Sequence, residues 1–239
     1  MSSSDLKHQL SIGDLDVDIT FKPIKNLHLS VSPPAGAIRV SAPQEMSLQH
    51  VRAYTIGKLG WIRSQQAKFA SQKRESRRIL AERESHSVWG RRVLLHIEEG
   101  NCSPSIELQP KQLTLCVRPE TTFEKRESIL AAWYRNELKR EAAGLISTWE
   151  EKLDVKINKL FVQAMSRKWG SCNPETRNIR LNTQLAQKPK ECLDYVILHE
   201  LAHLRYRTHG EQFTDLLDAM QPDWQERKKL LNELPLQSS

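Results

Sequence analysis

The chain has 239 residues, with 36 basic and 29 acidic side chains for a formal charge of +7, and 38% of its residues are hydrophobic. That length supports one large domain or two small ones around a real core, while no apolar run approaches the ~20 residues needed to span a bilayer. The first eight residues lack the apolar centre of a signal peptide, and Cys102, Cys116, Cys172 and Cys192 show no CxxC spacing. The reading is a cytoplasmic protein, off the membrane, with four free thiols.

In chain order, residues 1–12 are polar and serine-rich and read as a flexible tail. A β-rich region, 13–118, follows. Leu15, Val17, Ile19 and Phe21 alternate with polar residues, as do Leu27, Leu29 and Val31, then Ile38 and Val40, with Pro33-Pro34-Ala35-Gly36 as a hairpin turn. Ser47 caps a helix that carries Val51, Tyr54, Ile62 and Phe69 and grows polar toward Glu84. Strand patterns resume over 93–97, 106–108 and 113–117. Pro119 ends them, and Thr121 with Glu124 forms a capping box that opens a helix from about 122 to 151. Within this last region, 119–239, short strands at 160–162 and 179–181 flank a polar loop, a helix follows Pro189, and another follows Pro222. No internal repeat is visible. The elements define an α+β fold, a small β-sheet-rich region with a long helix preceding a mainly helical half.

The most informative stretch is His199-Glu200-Leu201-Ala202-His203, with His209 six residues further on. Histidines four apart on a helix share a face and can reach one metal, while Glu200, one position round, can reach a water on it. In an unbroken helix His209 would lie about 9 Å beyond His203 and roughly 120° round the axis, so the helix must end near Arg207. Gly210 then supplies conformational freedom for the chain to turn back. Three protein ligands and one open position is the pattern of a catalytic zinc, where a structural zinc usually has four.

Trp169-Gly170-Ser171-Cys172, the run from Asn178 to Asn182, Pro189, the HELAH segment, His209 and Phe213 together resemble the YgjP-like metallopeptidase domain and, more distantly, the SprT-like and WLM proteases. The likeness extends through most of the chain, with less specific motifs in its N-terminal part. It implies a zincin-like metallopeptidase fold, His199, His203 and His209 as ligands of one zinc per chain, and Glu200 as catalytic base.

Other residues carry competing readings. Trp169, Cys172 and Asn182 are candidate substrate-binding residues, because the strand ending at Asn182 would lie along the cleft and pair with an extended peptide. The plainer reading makes Trp169 a core plug and Cys172 a buried thiol, and a sharper one puts the Cys172 sulfur in the zinc's open position. Gly170 reads as a tight turn. Met220 is a core residue or a support beneath the metal, Asp215 and Asp218 are solvated or orient a ligand histidine, and Arg205, Tyr206 and Arg207 compete as oxyanion stabilisers.

Between Trp61 and Arg92, nine basic residues stand against three acidic ones. Lys73, Arg74, Arg77 and Arg78 are the densest part of a stripe able to follow a nucleic-acid backbone. A solvated helix face with pairs such as Arg78 and Glu82 is the bland alternative.

The function these readings support is zinc-dependent hydrolysis of a peptide or protein substrate, with Glu200 taking the proton of the activated water. The alternatives are a nucleic-acid-associated binding module, or a protease of DNA-linked proteins, with a largely structural metal, and a scaffold protein holding no metal. Neither a structural metal nor a scaffold explains a glutamate placed directly after His199.

Overall fold

Alternating apolar residues in the first part of the chain close into a four-stranded sheet. Strands β1 (Leu6–Ile12), β2 (Leu15–Lys22), β3 (His28–Ser32) and β4 (Ala37–Pro43) stand in the order β1-β2-β4-β3. Two antiparallel hairpins meet at the parallel pair β2–β4. Val17, Ile19, Ile38 and Val40 point inward and are buried, together with Val51 of helix α1 (Leu48–Gly57) and Ile62 of helix α2 (Leu59–Ser71). The computed structural model describes residues 6–32, 36–71, 79–101, 103–166 and 168–233. The basic stretch Lys73, Arg74, Arg77 and Arg78 lies outside the described residues.

This region departs from the sequence reading in two places. Residues 6–12, assigned to a tail, pair with β2 along their length from Leu6↔Phe21 to Ile12↔Leu15, through a turn in which Gly13 has φ +63°. Ser47 does cap a helix, its hydroxyl accepting the His50 N–H at 3.3 Å. That helix breaks at Lys58 (φ −105°, ψ 5°), between Gly57 and Gly60, which are poor helix formers. By 85 the chain is strand, not the end of a helix.

The following strands β5 (Ser85–Val88), β6 (Arg91–Glu99), β7 (Ser105–Leu108) and β8 (Gln112–Val117) repeat the first topology: order β5-β6-β8-β7, two antiparallel hairpins joined by a parallel pair, then a capped helix. A ββββα unit therefore occurs twice in a chain whose sequence shows no repeat. The helix of the second copy is α3 (Phe123–Leu153). Its cap is Thr122, which accepts the Lys125 N–H, while Thr121 bonds back to the Arg118 carbonyl.

The chain divides into two units, Met1–Arg74 and Glu75–Gln237. The division does not fall near 118/119, because the second sheet and the helices after it share one core. Val93, Leu95, Leu113 and Leu115 belong to the same cluster as Leu138, Leu153, Ile197 and Leu201. Cys172 and Cys192 are free thiols, but Cys116 is disulfide-bonded, against the expectation for all four cysteines. That bond removes part of the cysteine argument for a reducing compartment.

The rest of this unit comprises β9 (Lys159–Gln163), β10 (Gly170–Asn173), β11 (Asn178–Asn182), a 3₁₀ turn (Thr183–Gln187), α4 (Lys190–Ala202), α5 (Glu211–Met220) and α6 (Trp224–Glu233). The small sheet has the order β10-β11-β9. Among the described residues no helix is long and apolar enough to cross a membrane.

The tip of the β5–β6 hairpin positions α4. Trp89 (φ 50°) and Gly90 (φ 77°) both take left-handed conformations, which suit a two-residue hairpin turn. Their N–H groups donate to the carbonyls of Ala186 and Gln187, and a Cβ on Gly90 would stand 2.9 Å from Pro189 Cγ at the entry to α4. Gly90→Ala meets both a conformational and a steric penalty and should lower unfolding free energy by about 1–3 kcal/mol. Gly13→Ala, whose Cβ meets nothing within 4 Å, carries only the conformational cost of about 1 kcal/mol. Urea unfolding of the two variants measures the difference, and equal losses would contradict the docking of the tip on Pro189.

Candidate metal centre

Helix α4 is buried on nearly every side, with Leu193, Val196, Ile197, Leu198 and Leu201 all inside the core. Its polar exceptions are therefore the informative residues. Asp194 accepts the Trp149 indole N–H of α3 at 2.7 Å through one carboxylate oxygen. The other oxygen accepts from Gln221 Nε2 at 2.8 Å and from Arg227 of α6 at 2.6 Å. One side chain thus fixes α4 to α3, to the end of α5 and to α6. Sequence reasoning passed over it, although an acid inside the run from Cys192 to Leu198 was the available signal.

His199 lies in the last turn of α4, and His203 caps it with helical dihedrals (φ −66°, ψ −15°). The helix ends at Ala202 rather than near Arg207, yet the four-residue spacing still puts both imidazoles on one side. His209 comes from the connection to α5, and its Nε2 is 3.1 Å from the Nε2 of His199. One ligand nitrogen from each of the three rings can be chosen so that all lie within 4.8 Å of one another. Bonds of 2.0–2.1 Å to a tetrahedral zinc would put nitrogens about 3.3 Å apart; the His199–His209 pair at 3.1 Å matches that spacing, and three imidazoles are donors of the type that ion takes. His203 Nδ1 lies 3.2 Å from the Tyr206 carbonyl; protonated there, it donates and leaves Nε2 free. His199 Nδ1 is buried without a partner among the described residues. Burial pushes the pKa of His199 down to about 4, helped by the charges of His203, His209 and Lys228, and burial also lowers that of His203. Both are neutral at pH 7, as metal ligands must be.

The ring of Phe213 in α5 supports all three imidazoles, with centroids 5.1, 4.9 and 4.8 Å from those of His199, His203 and His209. Met220 packs partly buried against the core. Gly210 is extended (φ −78°, ψ −173°), so the return of the chain does not depend on glycine's conformational freedom. Its carbonyl instead accepts the Thr214 N–H as α5 begins.

Glu200 is 6% exposed and faces β10. Burial pushes its pKa up to about 7, against the opposing pull of Lys168 and of the Cys172 backbone N–H. Gly170 makes room for this carboxylate: a Cβ there would stand 2.6 Å from Glu200 Oε1. Close approach, and not a turn, is the reason for glycine.

A cavity of about 810 Å³ opens in front of these groups. Trp169 and Cys172 line it, as do Lys168, Tyr195 and Arg207, of which the sequence singled out only Arg207. Burial holds the Cys172 thiol up at about 11, with Glu200 adding to the effect. Asn182 is 2% exposed and donates to the carbonyls of Met165 and Lys168 at 2.8 and 2.9 Å. It holds the loop before β10 and does not face the cleft. β11 runs between β10 and β9, so the strand able to receive a peptide beside the site is the edge strand β10. Asp218 takes the Trp224 indole N–H and Asp215 is exposed, so neither orients a histidine.

A buried carboxylate beside three converging imidazoles on an α+β frame defines the class of metal-dependent hydrolases. A sequence profile of the YgjP-like metallopeptidase domain matches residues 25–234. The chain belongs to that family and is a metallopeptidase, a peptide-bond hydrolase. No curated protein matches it. Among solved structures it is similar to two metallopeptidase zymogens. One is jannalysin of Methanocaldococcus jannaschii, at 25% identity and a TM-score of 0.34 over 38% of this chain and 92% of that one. The other is abylysin of Pyrococcus abyssi, at 18% identity and a TM-score of 0.36 over 38% and 90%.

Two measurements test the geometry around Glu200. In metal-free protein the unfolded chain releases this proton near pH 4.5 while the fold holds it to about 7. Stability therefore falls as pH rises through that window, by roughly 3 kcal/mol once the buried group is ionised. Glu200→Gln abolishes this cost and leaves the histidines in place. Its gain in melting temperature over wild type should be near zero at pH 4 and reach a plateau above pH 7; a gain independent of pH would contradict the burial. Gly170→Ala should lower activity at least about 10-fold by displacing the carboxylate, with metal content unchanged. Full activity in that variant would show that the contact is dispensable.

Proposed function

We propose that this metallopeptidase uses zinc, one ion per chain, held by His199, His203 and His209, with Glu200 as general base. The observation that carries the reading is the 3.1 Å approach of the His199 and His209 nitrogens beside a carboxylate buried against Gly170. When bound, zinc supplies a Lewis acid to a water and to the substrate carbonyl at neutral pH. Glu200, kept in place by the Cys172 N–H, takes the water's proton and returns it to the leaving amine. Burial suits it to that task, since a base with a pKa near the working pH both accepts and releases a proton.

The substrate is an extended peptide or protein segment. Among the described residues strand β10 has one partner, β11, so its other edge can bond to a peptide backbone, with Trp169 beside it in the cleft wall. Tyr195 and Arg207 line the same cavity, where a hydroxyl and a guanidinium can donate to a developing oxyanion.

His203→Ala should empty the zinc site, because two imidazoles do not hold the ion against buffer. Glu200→Gln should keep zinc and lose peptide hydrolysis by about 100-fold or more. Elemental analysis and turnover of an unstructured protein substrate check both. Zinc retained by His203→Ala would refute the ligand set, and wild-type turnover in Glu200→Gln would refute the base.

A further inference from the structure

Beyond the histidines the cavity extends into a recess between α4, α5 and α6. Val196, Leu217 and Leu231 are buried in its wall, with Trp224 beside them. Trp224, Lys228, Leu231 and Asn232 occupy positions i, i+4, i+7 and i+8 of α6, so one stripe of that helix faces the recess. The Lys228 ammonium lies 5.4 Å from the centroid of the Trp224 ring. It is near enough to His199 for its charge to oppose protonation there.

The charges of this cleft do not balance. Lys168, Arg207 and Lys228 line it, and Glu200 is the one acidic side chain among its described lining residues. Among the described residues no carboxylate pairs with Lys228 or Arg207. A divalent ion in the histidine site would add to the excess. Lys228 is itself exposed, so water screens part of its pull on an anion, and the apolar wall and indole face beside it supply the rest of the contact.

We propose that the recess takes an apolar substrate residue and that Lys228, with Asn232 one turn further on, binds a carboxylate carried next to it, making this a peptidase for anionic peptides. The carboxylate is either the substrate's C-terminal group or an acidic side chain, and both present the same chemistry to the lysine. The proposal rests on the peptidase reading above and assigns its substrate class.

The test has one arm that needs no catalysis. In metal-free protein, where a carboxylate has no zinc to bind, N-acetyl-leucine and N-acetyl-leucinamide are titrated while the Trp224 indole N–H resonance is followed, assigned by its loss in Trp224→Phe. The acid should shift that resonance and bind about fivefold or more tightly than the amide, and Lys228→Met should cancel the difference. Equal binding of acid and amide, no shift with either, or an undiminished preference in Lys228→Met would overturn the proposal.

The second arm uses zinc-loaded enzyme on three peptides of one sequence: a free C-terminus, a C-terminal amide, and an internal Glu replaced by Gln. Wild type should lose about 10-fold in kcat/KM on one of the two neutralised peptides, identifying the source of the carboxylate, and Lys228→Glu should remove that discrimination. Discrimination unaltered in Lys228→Glu, or none in wild type, would refute the assignment. Peptides cleaved no faster by wild type than by Glu200→Gln would instead refute the peptidase mechanism, and the titration still decides the carboxylate site.

Discussion

The constraint on which the rest depends is the burial of Glu200. A carboxylate withdrawn from water in a core helix is costly unless its surroundings are fixed to receive it. β10 approaches so closely that only glycine fits opposite the carboxylate, at Gly170, and the Cys172 N–H meets it. Asn182 ties down the loop that leads into β10. From the other side, Asp194 holds α4 to three further segments, and the Trp89-Gly90 turn abuts the start of that helix. Each contact removes a freedom that would let the carboxylate escape toward solvent.

The same burial governs the histidines. Removing His199 and His203 from water keeps them unprotonated, and the Phe213 ring restrains all three imidazoles from below. Low dielectric surroundings make each nearby charge count for more. Lys168, Arg207 and Lys228 line the same cleft but are exposed, so their excess over Glu200 acts partly through water.

The two ββββα units use one topology for different ends. The first is completed by α1 and α2 over its own core, with Val51 and Ile62 among the buried residues. In the second, α3 joins the sheet to α4, and the helix that carries His199 and Glu200 becomes part of the same core. The sequences of the two copies share little beyond alternation and a capped helix start, at Ser47 and Thr122. Many side chains satisfy a two-residue period, so topology is kept while recognisable sequence is not.

Much of this was legible along the chain. The HELAH spacing identified the candidate ligands and base, because ligands on one helix turn are fixed by local geometry alone, and the alternation around Val17, Ile38, Val93 and Leu115 placed four of the strands. Long-range pairing was not legible. Leu6, Leu10 and Ile12 fall on one side of a two-residue period, but with His8 in the same row the signal is weak until β2 lies beside it, and β10 is a strand because β11 is next to it. The role of Gly170 depends on a side chain 30 positions away in the sequence. That of Asp194 depends on three partners from other segments, and the charge imbalance of the cleft on Lys168 before β10, Glu200 of α4, Arg207 between α4 and α5, and Lys228 of α6 brought to one cavity. Local spacing determines which groups can share an ion; only tertiary packing decides how deeply they are buried, what faces them, and so which chemistry they can carry.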